Sequence, residues 1–148
     1  MTREIAIAGE GFQFVLRIHG YERPHLLTGA DANWLIGEAE LNSSTTGRFS
    51  GRHDVSLRTE ELTDFRDQLA QLVEQLDGEA RLVHMEDQVG CRISLRRGVG
   101  EFDGFVREHV GAELRVTGLR TDQSYLQATL RDSEAVVREF PVKGDPLG

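Results

Sequence analysis

Glu38 and Glu40 are the residues whose types and spacing come closest to those of a catalytic pair. Two positions apart on a strand, their side chains would lie about 6.5 to 7 Å from each other, as paired carboxylates for glycoside chemistry require. A second interpretation is that they form cross-strand ion pairs on the outer face of a sheet. Five arginines at outward positions of other predicted strands provide the opposite charges: Arg17, Arg92, Arg96, Arg107 and Arg115. Ion pairing is the simpler interpretation, so we predict no catalytic residues.

The other reactive residues do not indicate a metal, cofactor or nucleophile site. Five histidines lack both the i, i+4 helical spacing and the neighbouring Cys-x-x-Cys of common metal sites: His19, His25, His53, His84 and His109. Cys91, the only cysteine, alternates with Ile93 and Leu95 and is expected in the core. The glycines of residues 98–104 open a predicted strand, which is typical of a hairpin and not of a phosphate loop. We therefore predict a non-enzymatic protein without a metal or cofactor.

Trp34, the only tryptophan, follows a loop whose residues favour an ordered conformation. Pro24 fixes one backbone angle, and Asn33 can bond neighbouring amides. By strand alternation, Trp34 lies on the same face as Ile36. Two interpretations are open: Trp34 pins the 22–33 loop against the sheet, or it anchors a partner, since tryptophan is enriched at binding hot spots. Trp34 is therefore a candidate partner-binding residue.

The elements that position these residues are strands joined by short polar turns. Alternation with a period of two predicts strands at 12–19, 34–41, 48–57, 80–86, 91–97, 102–110 and 113–120. Such short turns leave no room for parallel crossovers. Apolar residues at helical spacing predict two amphipathic helices, at about 59–77 and 122–140. The expected fold class is α+β, with antiparallel meander sheets of seven to eight strands and these two helices.

Both predicted helices have recognisable ends. Thr59 is a suitable N-cap for the first helix, and Asp77-Gly78 ends it. Asp122 is a suitable cap for the second helix, and Pro141 ends it. The tripeptide Leu-Arg-Thr precedes each helix, at 57–59 and 119–121, which suggests a loose strands-and-helix repeat.

The first helix has an acidic outer face. Its members lie opposite the apolar stripe: Glu60, Asp64, Asp67, Gln71 and Glu74. Between residues 60 and 79, seven acidic residues and one basic residue give −6 of the chain's net charge of −8. Such a face is either an ordinary solvated surface or a surface that steers a basic partner. Glu60, Asp64, Asp67 and Glu74 are therefore candidate partner-binding residues.

Composition limits the remaining possibilities. The 148 residues suit a single domain, with a strands-and-helix repeat at 1–78 and 79–141 and a flexible tail at 142–148. The net charge of −8 disfavours direct nucleic-acid binding, which needs clustered Lys and Arg. A single cysteine, and no apolar run of membrane-spanning length, predict a cytoplasmic protein that does not insert into a membrane. The expected partner is a basic protein.

Two segments, Gly20-Tyr-Glu-Arg-Pro24 and Asp31-Ala-Asn-Trp-Leu35, resemble the WapI-type immunity proteins of bacteria. This resemblance extends to the order of elements over most of the chain. It implies a non-enzymatic inhibitor that neutralises a cognate toxin by stoichiometric binding, with a nuclease toxin domain as the candidate basic partner. Two alternatives stay open: a small enzyme that uses Glu38 and Glu40 with nearby Arg and His, and a structural or regulatory subunit.

Overall fold

The computed structural model describes residues 2–147, which form two runs of four strands, each followed by a helix. The first run comprises β1 Arg3–Gly9, β2 Phe12–Tyr21, β3 Trp34–Ser43, β4 Phe49–Arg58 and α1 Thr59–Gln75, with a short 3-10 helix at Ala30–Asn33. The second run comprises β5 Gly78–Val83, β6 Val89–Arg96, β7 Val99–Arg107, β8 Glu113–Asp122 and α2 Gln123–Glu139. Each set of strands forms an antiparallel four-stranded sheet in sequence order. The predicted α+β class, with eight strands and two helices, is confirmed.

Strand alternation determines which side chains form the core. In β2, Phe14, Leu16 and Ile18 are fully buried, because alternate residues of a strand point to the same face. The inner faces of the two sheets meet at Phe102 of β7, whose ring centroid lies 4.7 Å from that of Phe12 and 5.7 Å from that of Phe14. The buried apolar residues of both sheets and both helices form one cluster. The sheets are therefore joined through a shared core.

The start of α1 differs from the predicted cap. Thr59 is the first helical residue, and Arg58 occupies the N-cap position. The Thr59 hydroxyl donates instead to Asn33 Oδ1, at 2.6 Å, and is therefore engaged with the preceding loop. The backbone N–H of Arg58 donates to Glu61 Oε1, at 2.8 Å. A carboxylate from the first turn thus satisfies an amide at the helix start.

The C-terminal end of α1 differs from the sequence prediction, whereas the N-terminal cap of α2 agrees with it. Leu76 is the C-cap of α1, one residue before the predicted Asp77-Gly78; its φ is 59°, and its N–H donates to Leu72 O at 2.8 Å. Gly78 is already part of β5. The predicted cap of α2 is confirmed, because Asp122 Oδ1 accepts the Ser124 N–H at 2.7 Å.

Each helix packs against the first strand of the other run of strands. α1 packs on β5, α2 packs on β1, and the two helices contact each other. The tenth residue of each helix accepts an N–H from the strand edge: Gln68 Oε1 from Arg81 at 2.9 Å, and Asp132 Oδ2 from Ala6 at 3.1 Å. The helices therefore cover two of the four sheet edges. Within residues 2–147, neither helix has the length and apolar character needed to cross a membrane.

Candidate functional site

The loop between β2 and β3 is held by the buried side chain of Asn33. The Asn33 amide group donates to Gly29 O at 2.9 Å and to Lys143 O at 3.0 Å. Its Oδ1 accepts the Lys143 N–H at 2.8 Å and the Thr59 hydroxyl at 2.6 Å. Asn33 is fully buried, so each of these bonds replaces a bond to water. This one residue joins the loop, the C-terminal segment and the start of α1.

The C-terminal segment after α2 lies over the same loop. Lys143 Nζ is 3.7 Å from the centroid of the Tyr21 ring and donates to Leu26 O at 2.9 Å. The Tyr21 hydroxyl donates to Pro141 O at 2.6 Å, and Gly29 N–H donates to an oxygen of the segment, Asp145 O, at 2.9 Å. These contacts involve the segment for which the sequence predicts a flexible tail, 142–148, of which residue 148 lies outside the described residues; the tail stays a prediction.

Two of the predicted partner-binding residues, Trp34 and Glu60, are brought together by Arg58. Trp34 and Arg58 are paired across β3 and β4, and the guanidinium carbon lies 4.9 Å from the Trp34 ring centroid. Arg58 Nε forms an ion pair with Glu60, and its Nη2 donates to Pro146 O at 3.3 Å. Because Arg58 is only 6% exposed, this stack fixes the indole ring and the carboxylate in place. Glu60 is therefore engaged within the protein and is not part of a free acidic surface.

The other three predicted acidic residues of α1 remain exposed. We call Asp64, Asp67 and Glu74 the α1 strip. Asp67 Oδ1 pairs with Arg66 Nε at 2.7 Å, whereas Asp64 and Glu74 form no ion pair with any described residue. From Asp64 to Glu74 the strip spans about 15 Å of helix. It is acidic, but narrower than the predicted face that included Glu60.

The remaining acidic residues of the 60–79 segment have structural roles. Glu61 accepts N–H groups from Arg58 at 2.8 Å and from Met85 at 2.6 Å. Burial raises the pKa of Glu61, and the two amide bonds oppose that rise. Asp77 accepts the Arg97 N–H at 3.0 Å, at the turn between β6 and β7. Glu61 and Asp77 therefore have structural roles that the charge count of the sequence does not show.

An exposed apolar patch lies beside Trp34. We call Trp34 and Ile36, which lie two residues apart on one face of β3, the Trp34 patch; Trp34 is half-buried and Ile36 is 47% exposed. Met85, in the β5–β6 turn, is 64% exposed, and its N–H binds Glu61 in the first turn of α1. A shallow cleft of about 270 Å³ adjoins Ile36, with Asp54 and Glu86 among its lining residues. Sequence alternation predicted that Ile36 shares a face with Trp34, but no sequence signal indicated the bond between the β5–β6 turn and α1.

Glu38 and Glu40 are bound to an arginine. Arg17 Nη1 lies 2.9 Å from Glu38 Oε1, and Arg17 Nη2 lies 2.9 Å from Glu40 Oε1. The hydrogen bond to Glu40, followed by that to Glu38, raises the pKa of Arg17 despite its partial desolvation. Glu4 Oε2 adds a third contact, at 3.1 Å from Arg17 Nε. One guanidinium thus pairs with Glu4, Glu38 and Glu40, as the ion-pair interpretation predicted.

The outer face of the second sheet carries a groove of about 330 Å³. Phe105 lies over Gly90, whose missing side chain leaves room for the ring, and the Arg115 guanidinium carbon is 4.5 Å from the ring centroid. Asp103 lines the groove; burial favours a higher pKa, but bonds from the Gly118 N–H and the Arg92 guanidinium lower it overall. The groove therefore holds a stabilised carboxylate and not a proton donor.

The buried histidine and the cysteine, His84 and Cys91, occupy structural positions. Among residues 2–147 no three His, Cys, Asp or Glu side chains are arranged to hold a metal ion. His84 is buried; its Nδ1 accepts the Gln88 N–H at 3.2 Å, so Nε2 carries the proton and donates to Ser56 O at 2.7 Å. Cys91 lies in the core, as predicted, and burial raises its pKa to about 12. A thiol with this pKa is not a nucleophile at neutral pH.

Comparison with known protein families favours a binding role over catalysis at Glu38 and Glu40. The family model described as "Immunity protein WapI-like family" matches residues 5–141, which is nearly the whole chain. The chain belongs to this family. Both segments that carry the resemblance, 20–24 and 31–35, lie within the match. Membership indicates an immunity function, and it favours a non-enzymatic role over catalysis by Glu38 and Glu40.

Comparison with curated proteins gives no match. Two solved structures with a fold similar to that of this WapI-like chain are of plant proteins. WHY1 from Arabidopsis thaliana is 10% identical, with a TM-score of 0.52, and the match covers 95% of this chain and 85% of WHY1. The plant transcriptional regulator PBF-2 is 9% identical, with a TM-score of 0.56, and the match covers 95% of this chain and 82% of PBF-2. At such low identity these likenesses concern the fold alone.

Proposed function

We propose that this protein neutralises a cognate bacterial toxin by binding it one to one, and that the toxin presents a basic surface. The observation that carries this proposal is the α1 strip, Asp64, Asp67 and Glu74, exposed near the Trp34 patch. Exposed carboxylates accelerate the approach of a basic protein, and an aromatic and apolar centre supplies the close contact that slows its release. Family membership supports an immunity role, and the net charge of −8 supports a basic partner.

The two surfaces have different tasks in this proposal. The α1 strip steers the encounter, since its side chains are solvated and their attraction is long-ranged. The Trp34 patch determines the lifetime of the complex, because Arg58 and Glu60 hold the indole ring in one orientation before the partner arrives. A nuclease domain is the proposed toxin class, because such enzymes bind nucleic acid through Lys and Arg. The protein would then act as a non-enzymatic inhibitor in the cytoplasm, without itself binding nucleic acid.

The first test is binding to the toxin domain encoded beside its gene. Calorimetry and nuclease protection are measured at low and at physiological salt. We expect one-to-one binding that weakens as salt rises and that abolishes the activity of the toxin. No binding at micromolar concentrations would overturn the proposal.

Charge variants then separate steering from contact. The α1-strip variant Asp64→Asn/Asp67→Asn/Glu74→Gln should lower the association rate about tenfold at low salt, with a smaller change in the dissociation rate. The matched control, Glu10→Gln/Glu101→Gln/Glu134→Gln, changes the net charge equally in the β1–β2 turn, β7 and α2. Stopped-flow association gives both rates. Equal effects of the two variants would show that net charge, and not the α1 strip, determines the approach.

A further inference from the structure

The four strands at the sheet edges differ in how their outer backbone groups are satisfied. An uncovered edge is a template for another strand, and natural proteins usually protect it. On β1, Ala6 N–H donates to Asp132 and Ala6 O accepts the Thr129 hydroxyl at 2.7 Å. On β5, Arg81 N–H donates to Gln68. The edges of β1 and β5 are therefore covered by the helices.

The edge of β8 is protected in a different way. Arg120 O, near its C-terminal end, accepts the N–H of Glu10 at 2.9 Å. Its middle is interrupted by a bulge, where the pairing with β7 shifts between Phe102 and Gly104. Gly118, with φ of 67°, lies on the bulged strand. Bulges twist an edge away from new partners, so β8 offers no long straight edge.

The first half of β4 is the edge that lacks such protection. β4 pairs with β3 over ten residues without a register shift. Near its end, Ser56 O accepts the His84 ring N–H, and Arg58 N–H donates to Glu61. These bonds show that even-numbered backbone groups of β4 point away from β3, since the direction alternates along an antiparallel strand. Ser50, Arg52 and Asp54 therefore point their N–H and C=O groups outward, and none of these groups binds another described residue.

The chemistry of this open edge matches one kind of occupant. A row of N–H and C=O groups that repeats about every 6.8 Å is complementary to the backbone of another extended chain. Beside the edge lies a groove of about 380 Å³ between β4 and the β7–β8 turn, lined in part by Phe49, Arg52, Glu108 and Leu114. The groove can take alternate side chains of an added strand. A second copy is disfavoured because each copy carries a net charge of −8.

We propose that the toxin adds an extended, basic segment to the open edge of β4 at Ser50, Arg52 and Asp54. This inference rests on the proposed function and names a contact which that function does not require. Added-strand binding gives affinity through backbone hydrogen bonds, so it tolerates side-chain changes along the edge. Such binding is, however, weakened by the loss of a backbone N–H that points outward from β4.

The test compares two substitutions at one residue. Arg52→Pro removes an N–H that takes no part in the β3–β4 ladder, and the ring obstructs an incoming strand. Arg52→Ala removes the side chain and keeps the N–H. Calorimetry with an inactivated form of the toxin domain encoded beside the gene should show binding weakened about tenfold or more by Arg52→Pro, and less than about threefold by Arg52→Ala. Circular dichroism melting checks that both variants fold.

Amide hydrogen exchange of the unsubstituted protein gives a second measurement that does not depend on the folding of a variant. In the free protein, the amides of Ser50, Arg52 and Asp54 should exchange much faster than those of Gly51 and His53, which face β3. In the complex, the three fast amides should become protected. Slow exchange in the free protein, or unchanged fast exchange in the complex, would overturn the proposal.

The outcomes separate this inference from the proposed function. Absence of toxin binding rejects the proposed function and the edge contact together. Tight binding with unprotected edge amides, or with a folded Arg52→Pro variant of normal affinity, rejects only the edge contact. If light scattering instead shows that the protein alone forms a dimer that Arg52→Pro dissociates, the occupant is a second copy, and the toxin contact is rejected.

Discussion

The two halves of the chain, 3–75 and 78–139, have the same order of elements but use their helices differently. Both helices have 17 residues, and four equivalent positions of each are buried. In α1 these positions carry Leu62, Phe65, Leu69 and Leu72, and in α2 they carry Leu126, Thr129, Ser133 and Val136. The two central positions are thus apolar in α1 and hydroxyl-bearing in α2. α1 is held mainly by packing, whereas α2 is also held by hydrogen bonds to the edge of β1.

The halves differ again between their second and third strands. In the first half, residues 22–33 connect β2 to β3 and, with the C-terminal segment, surround Asn33. In the second half, only Arg97 and Gly98 connect β6 to β7. The proposed partner surfaces also lie mainly in the first half, on α1, β3 and β4. One half thus supplies both the long loop and the candidate binding surfaces, and the other completes the core and covers the edge of β1.

Substitution at the central buried positions of the two helices should give the largest change in the free energy of unfolding. Phe65→Ala removes a fully buried ring from α1 and should lower the free energy of unfolding by about 3 to 5 kcal/mol. Thr129→Ala, at the equivalent position of α2, removes a hydroxyl bond to Ala6 O and should lower it by about 1 to 2 kcal/mol. Urea unfolding measures both. Equal losses would contradict the contrast between packing in α1 and hydrogen bonding in α2.

Asn33 tests the loop that only the first half possesses. Asn33→Ala leaves the Lys143 N–H and the Lys143 O without their partner inside the protein, so the free energy of unfolding should fall by about 2 to 4 kcal/mol. Asn42→Ala is the control, because Asn42 receives only an exposed bond from Ser50. Thermal and urea unfolding give the difference. A loss below about 0.5 kcal/mol would show that the loop does not depend on Asn33.

The sequence predicted what depends on local periodicity. Alternation identified the faces of β2 and β3, and apolar spacing identified both helices, because these patterns follow directly from backbone geometry. Asp122 was predictable as a cap because its acceptor and the Ser124 amide are two residues apart. The two Leu-Arg-Thr copies do not occupy equivalent positions: they are 62 residues apart, whereas α1 and α2 begin 64 residues apart, so Thr59 is helical and Thr121 is in a strand.

The candidate site was less predictable because its contacts join distant parts of the chain. Pairing of Arg58 with Glu60 removed Glu60 from the acidic surface, and Arg58 meets Trp34 only through the register of β3 and β4. Met85 of the β5–β6 turn is joined to the first turn of α1 by an N–H bond to Glu61. The bonds between Asn33 and Lys143 span 110 residues. Such contacts follow from strand pairing and packing, which a single sequence does not specify.

A smaller change in stability should come from giving α2 an apolar residue at a central buried position, as α1 has. Thr129→Val keeps the volume but removes the hydroxyl that donates to Ala6 O, so the free energy of unfolding should fall by about 1 to 2 kcal/mol. Thr117→Val, at an exposed position of β8, is the control and should be neutral within about 0.5 kcal/mol. Urea unfolding of both variants provides the comparison. A stabilised Thr129→Val protein would mean that packing, not hydrogen bonding, also dominates in α2.

The smallest expected change in stability is a pH dependence due to Glu61. Its carboxylate links the start of α1, in the first half of the chain, to Met85 in the second half. Burial raises the pKa of Glu61 in the folded protein above its ordinary value of 4.5. The folded state therefore binds this proton more tightly than the unfolded state, and the stability gained from the proton is lost as the pH rises from 4.5 through the folded pKa.

The variant Glu61→Gln lacks this titration, while the other groups titrate alike in both proteins. The stability of the unsubstituted protein relative to Glu61→Gln should fall as the pH rises through this window, and urea unfolding at a series of pH values measures the difference. A relative stability that rises instead would mean that the two amide bonds outweigh burial, and that Glu61 acts in the folded protein as a stabilised anion.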